Sequence, residues 1–198
     1  MGTYRDDVDA DMAYLLSMPP YSDFYDHINI HRIDNTDDLG CFYDCEGIPR
    51  LICCDHTAVF AAAASAPFDE LIVLVNNSVY AGTGLVTVGG GGRETYAITY
   101  NRVAEYGREV MIHEFGHSFG GLMDEYEYGY PTGTIMGPNC DFSGCSAWST
   151  VPGMGCFPGC SYDNLYRPTD SGCIMRVLGV NYCDVCKNHL IKLLSSYE

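Results

Sequence analysis

The five residues His113-Glu114-Phe115-Gly116-His117 constrain this chain more than any other stretch. Two histidines four residues apart call for a helix, where both imidazoles leave one face toward a single ion. Glu114 lies one step round, beside the place a water on that ion would take. Zinc held in this way polarises a carbonyl and lowers the pKa of its water to about 7. A glutamate so placed serves as general base and then returns the proton to a leaving amine. The surroundings agree with a site. Residues 103–112 mix apolar and charged side chains at helical spacing and run into the motif without a proline. Gly116 costs a helix interior about 1 kcal/mol relative to alanine, so a neighbouring element is expected to approach closely there. Gly120-Gly121 stops the helix with a left-handed backbone. Leu122-Met123-Asp124-Glu125-Tyr126 then returns carboxylates toward the histidines. Two histidines and a third protein ligand leave one coordination position open for water.

The stretch from His113 to Tyr126, His-Glu-Phe-Gly-His-Ser-Phe-Gly-Gly-Leu-Met-Asp-Glu-Tyr, resembles the active-site segment of the immunoglobulin A protease type of zinc metallopeptidases, the igalysin family of the metzincin clan. Ser171-Gly-Cys-Ile-Met175-Arg176 resembles the Met-turn, in which a methionine lies under the histidines. Residues 68–75 and 94–100 are similar to the strands that lead into the active-site helix. The likeness is strong over about residues 65–128, fair around 171–190 and weak elsewhere. It implies a metzincin-like α/β catalytic domain with Zn2+ as cofactor, His113 and His117 as ligands, Glu114 as catalytic base and Met175 as hydrophobic floor. The usual metzincin spacing puts the third ligand three residues after the turn glycine. Counted from Gly120 that is Met123, a poor zinc ligand; counted from Gly121 it is Asp124. Glu125, longer by one methylene, is the alternative. The carboxylate left over would accept a hydrogen bond from a ligand histidine. Tyr126 could orient the same surroundings, beside the plainer reading of a packed tyrosine.

Composition narrows the partners. A formal net charge of −16 argues against nucleic acid and against an anionic membrane surface. No run approaches the roughly 18 apolar residues of a membrane span. At 198 residues and 47% hydrophobic, the chain can bury a proper core. The 11 cysteines point to an oxidising compartment and a secreted protein. Their odd number leaves at least one unpaired or bonded to another chain. Cys183-Asp-Val-Cys186 has a rival reading as half of a zinc knuckle or a redox pair, but its cysteine-rich neighbourhood favours disulfides. The first twenty residues carry aspartates where a secretory leader needs an apolar core. The expectation is a mature domain without its leader, with flanking domains missing.

The patterns along the chain suggest one catalytic domain over residues 1–198. Its α/β upper lobe covers about 1–121; a small irregular, disulfide-stapled lower lobe, with Met-turn and closing helix, covers about 122–198. Residues 11–17 fit a short helix ended by Pro19-Pro20, with Asp6, Asp7, Asp9 and Asp11 as an acidic first turn. Residues 27–33 alternate as a strand, and 55–66 read as a buried alanine-rich helix closed before Pro67. Residues 71–75 read as a central strand covered on both faces. Residues 85–88 and 94–100 read as strands joined by a tetraglycine hairpin that lacks the lysine of a phosphate loop. Residues 181–195 suggest the closing helix. Tyr96, Ile98 and Tyr100 share one face of what reads as an edge strand, open to a peptide substrate by strand addition; packing alone explains them equally. Tyr182 is a candidate stabiliser of a tetrahedral oxyanion, against the plainer reading of a packed tyrosine. His27, His31, His56 and His189 lie outside any ligand spacing and read as ordinary surface or packed residues.

The resulting expectation is a secreted zinc endopeptidase acting on an extended protein segment, with immunoglobulin A suggested only by the resemblance. Two other classes fit in part. One is a disulfide-rich binding or adhesion module with a non-catalytic zinc site, against which Glu114 speaks, since binding alone needs no general base. The other is a zinc amidase acting on a non-protein substrate.

Overall fold

The computed structural model describes residues 2–89, 92–101 and 106–197. Residues 103–105 of the expected helix lead-in, and Gly90-Gly91 of the tetraglycine, lie outside these. The chain divides into two units: Met1–Leu16 with Tyr25–Phe119, and Ser17–Phe24 with Gly120–Glu198.

The first unit opens with helix α1 (Gly2–Ser17). It starts well before residue 11, so the four aspartates fall in its interior and form no acidic first turn. Opposite charges hold two of them: Asp9 pairs with Arg32, and Asp11, 3% exposed, pairs with Arg108 at 3.2 Å. Burial pushes the Asp11 carboxyl above its ordinary value, and Arg108 partly pulls it back. The expected strand over residues 27–33 does not form. Residues 28–33 have no strand partner among the described residues, and Ile30 and Ile33 are exposed, so their alternation covers no core. Strands β1 (Phe42–Tyr43) and β2 (Ile52–Cys53) pair antiparallel under the disulfides Cys41–Cys54 and Cys45–Cys53. Helix α2 (His56–Ala63) follows, capped by the Asp55 carboxylate accepting from the Ala58 amide at 3.0 Å.

A three-stranded sheet carries the unit. Its strands are β3 (Ile72–Val75), β4 (Gly82–Gly89) and β5 (Gly92–Tyr100), in the order β3-β5-β4. β5 runs parallel to β3, with Val75 opposite Tyr100, and antiparallel to β4, with Thr83 opposite Ile98. Two expectations are thereby exchanged. β3 is a half-buried edge strand, and β5 is the central one, with Tyr96, Ala97, Ile98 and Tyr100 all buried. Strand addition along β5 is therefore closed, since both its edges are already paired. Helix α3 (Gly107–Ser118) packs on β4 and β5 and buries Val110, Met111 and Ile112.

The second unit is less irregular than the sequence suggests. Strand β6 (Glu127–Tyr130) pairs parallel with the long β7 (Phe157–Arg167) through a bulge. Proline, glycine, aspartate and asparagine within β7 hide it from pattern reading. Disulfides Cys140–Cys160 and Cys145–Cys156 staple the region, and Cys160, Leu165 and Cys140 form a buried cluster against Met123 and Tyr162. The Trp148 indole is buried and donates to the Gly155 carbonyl at 2.8 Å. Helix α4 (Asp184–Leu194) closes the chain as expected. Among the described residues no helix is long and apolar enough to cross a membrane.

Candidate metal centre

Helix α3 places the two motif histidines together within the first unit. The His113 and His117 Nε2 atoms lie 3.1 Å apart, with their rings nearly perpendicular at 86°. Two nitrogens bound to one tetrahedral zinc at about 2.0–2.1 Å stand about 3.3 Å apart, so the pair already has the bite of two ligands on one ion. His113 is 8% exposed and His117 half-buried, which fixes both rings while leaving an approach to them.

The close approach expected at Gly116 is made through glycines of the neighbouring strand. A Cβ on Gly84 would stand 2.3 Å from the His117 Cβ and 2.6 Å from the Glu114 carbonyl oxygen. One on Gly82 would stand 2.6 Å from the Glu114 carboxylate. Only glycine lets β4 lie this close to the motif face. Neither residue belongs to a recognisable motif; the only signal in the sequence is the Gly-Thr-Gly spacing, which puts both on one strand face. Glu114 is half-buried. Burial first, and then the negative charge of Glu114, hold the Tyr80 phenol above its ordinary value.

In the second unit, Gly121 has φ +59°, the left-handed turn expected of the double glycine. The two carboxylates that follow diverge. Asp124 is 7% exposed, and its Oδ2 accepts from the Tyr128 hydroxyl. The Ser161 hydroxyl donates to the Asp124 carbonyl at 3.0 Å. Buried Asn139 clamps the segment: its Oδ1 accepts from the Met123 amide at 2.8 Å, and its Nδ2 donates to the Met123 carbonyl at 2.8 Å. That same Nδ2 donates to Glu125 Oε1 at 3.0 Å. Nothing in the sequence singled out Asn139, because its partners lie sixteen and fourteen residues upstream.

Glu125 is fully buried and turned into another group. Its amide donates to the carbonyl of Met175 at 2.8 Å, and Arg176 Nη1 donates to its carbonyl at 2.7 Å. Met175 is itself 0% exposed. The Glu125 carboxylate lies among Cys173, Cys183 and Cys186, one ligand atom from each residue falling within 4.8 Å of the others. Burial, with the negative charge of Cys183 behind it, pushes the Glu125 carboxyl up to about 7. Hydrogen bonds with Cys173 and Cys186 pull the Cys183 thiol down to about 3. Its hydrogen bond to Cys183 raises Cys173, and burial raises Cys186. All three cysteines are free, which corrects the expectation of a disulfide for Cys183-Asp-Val-Cys186.

Tyr182 is 2% exposed, its ring edge-on to Tyr21 and its hydroxyl 3.4 Å from that of Tyr21. Burial chiefly raises its phenol well above the ordinary value. His189 Nε2 lies 2.9 Å from the Gly120 carbonyl, and His56 packs between Phe60 and Tyr96.

A family model described as IgA Peptidase M64 matches residues 18–136, more than half of the chain. The match takes in α3, the double glycine, Asp124 and Glu125, and stops short of Met175 and the three free cysteines. No curated protein matches the chain.

Proposed function

Since this chain belongs to the IgA Peptidase M64 family, and is thereby a peptidase, we propose that it is a secreted zinc endopeptidase whose metal is held by His113, His117 and Asp124. The observation that carries the reading is the histidine pair on α3, with Nε2 atoms 3.1 Å apart and Glu114 between them in sequence. Asp124 is the third ligand in this reading. It follows His117 by seven residues across the left-handed Gly121, and Tyr128 orients its carboxylate. The burial of Glu125 among cysteines supports the same choice by engaging the competing carboxylate elsewhere. Met175 serves as the floor of the site.

When bound, zinc would supply a Lewis acid that polarises the scissile carbonyl and acidifies a water to a pKa of about 7. Glu114 takes the proton of the attacking water and delivers it to the departing amine nitrogen, so that one carboxylate acts first as base and then as acid. Glycines 82 and 84 keep β4 against α3, which sets the rotamers of Glu114 and His117 before substrate arrives. Four disulfides suit an extracellular protein. The substrate is an extended protein segment, and the family's description makes immunoglobulin A the first to try.

The test pairs the parent with Glu114→Ala at equal zinc content, on casein and on immunoglobulin A. General-base loss lowers the rate about 10²–10⁴-fold while zinc is retained. Equal rates for the two proteins would refute the assigned role.

A further inference from the structure

Four disulfides account for eight of the cysteines, and the remaining three converge with a buried glutamate. We propose that Cys173, Cys183, Cys186 and Glu125 form a second, structural zinc site within the Gly120–Glu198 part of the chain. The site stands on residues separate from the α3 histidines and does not depend on the peptidase reading.

The spacing of the donor atoms is that of ligands on one ion. Cys173 and Cys186 sulfurs are 3.6 Å apart, and Cys183 and Cys186 sulfurs are also 3.6 Å apart. The Cys186 sulfur lies 3.6 Å from Glu125 Oε1. A tetrahedral zinc, with sulfur at about 2.3 Å and carboxylate oxygen at about 2.0–2.2 Å, separates two sulfurs by about 3.8 Å and a sulfur from that oxygen by about 3.6 Å. A disulfide needs about 2.05 Å. The observed separations match edges of a tetrahedron and leave no bonded pair.

Burial and charge point the same way. Glu125, Cys173 and Cys186 are 0% exposed and Cys183 is 5% exposed. Among the described residues Glu125 Oε2 has no hydrogen-bond partner. A buried carboxylate with one oxygen unsatisfied is costly, and a divalent cation would supply the missing charge. The outer contacts are those of a built site. Asn139 Nδ2 donates to Glu125 Oε1 at 3.0 Å, fixing the carboxylate, and the Cys183 amide donates to the Cys173 sulfur at 3.4 Å, as amides do toward thiolates. Cys183 occupies the N-cap position of α4 and Cys186 lies in its first turn, where the helix dipole favours anionic sulfur. Three thiolates with one carboxylate select a soft ion such as zinc over magnesium or calcium. Four protein ligands leave no open position, so the site is structural, and its binding energy contributes to folding. It would tie the segment after Gly121 to the start of α4, and so hold Asp124 through its neighbour.

The experiment measures bound metal in the full chain and in two double variants, with cobalt replacing zinc as a spectroscopic probe. The parent should carry about two ions per chain, and H113A/H117A about one. The cobalt form of that variant should keep a thiolate-to-cobalt charge-transfer band, which nitrogen and oxygen ligands alone do not give. C173S/C186S should lose the band and drop to about one ion. If the serine variant does not fold, the histidine variant and the parent decide. A fifth disulfide among these cysteines in the non-reduced mass spectrum of the parent would overturn the proposal. So would a histidine variant that holds no metal and shows no such band. Loss of the second site alone would leave the peptidase reading standing, because the α3 site is read separately in C173S/C186S.

Discussion

Replacing Gly84 by alanine tests how the fold prepares the histidine face. The added Cβ would stand 2.3 Å from the His117 Cβ, whereas ordinary contact begins at 3.4 Å. β4 and α3 must therefore part by about 1 Å, since the other close atom, the Glu114 carbonyl oxygen at 2.6 Å, is backbone and does not rotate away. Overpacking of this size costs about 1–3 kcal/mol. For a chain of this length each kcal/mol lowers the melting temperature by about 2–4 °C, so a drop of roughly 2–12 °C is expected. The effect on rate should be larger. A displacement of about 1 Å at a reacting group costs on the order of 100-fold. Calorimetry and casein cleavage on Gly84→Ala provide the two readouts. Gly172→Ala is the control, because its Cβ would meet only Thr169 at 3.7 Å or more, and it should leave both unchanged. A Gly84→Ala protein as stable and as active as the parent would show that β4 does not lie against α3 in this way.

Two further outcomes can be measured. Asp124→Ala should release the α3 metal to a weak chelator, whereas Tyr128→Phe, which removes only the hydroxyl on Asp124 Oδ2, should weaken it about 10–100-fold; equal retention in both, measured by dialysis and elemental analysis, would exclude Asp124 as a ligand. Alkaline stability should depend on Tyr182. Its folded value is raised, so the folded chain stays protonated while the unfolded chain ionises from its ordinary value of 10.0 upward. The stability is complete below pH 10 and is lost as pH rises beyond it, by up to about 1.4 kcal/mol per pH unit for one proton. Denaturant titrations of Tyr182→Phe should show a shallower decline than the parent above that pH; parallel curves would mean that the phenol is not buried.

The sequence made α3 legible because metal binding needs a spacing that few other purposes share. Both histidines lie together on that helix, and the hairpin of β4 and β5 and the closing helix α4 are where alternation and periodicity put them. Which strand is central was not legible. The apolar run of residues 72–75 looks more buried than Glu94-Thr-Tyr-Ala-Ile-Thr-Tyr100, yet β5 holds the middle because β4 folds back on it and β3 pairs with its far edge. β6 and β7 were hidden by turn-forming residues whose strand conformation comes from tertiary pairing and a disulfide. The fate of the cysteines was beyond pattern as well. Closely spaced cysteines suggest disulfides, but the side chains of Cys173, Cys183 and Cys186 meet around a glutamate from about fifty to sixty residues upstream, and no local rule reports that meeting.

In the proposed reading this chain hydrolyses protein with a metal-dependent site at His113, His117 and Glu114. The direct measurement is cleavage of casein by the full chain before chelation, after removal of metal, and after zinc is restored, with bound metal quantified in each sample. Cleavage should disappear with the metal and return with zinc, with no recovery in Glu114→Ala. Undiminished cleavage by the stripped protein, or none by the zinc-replete protein, would contradict it.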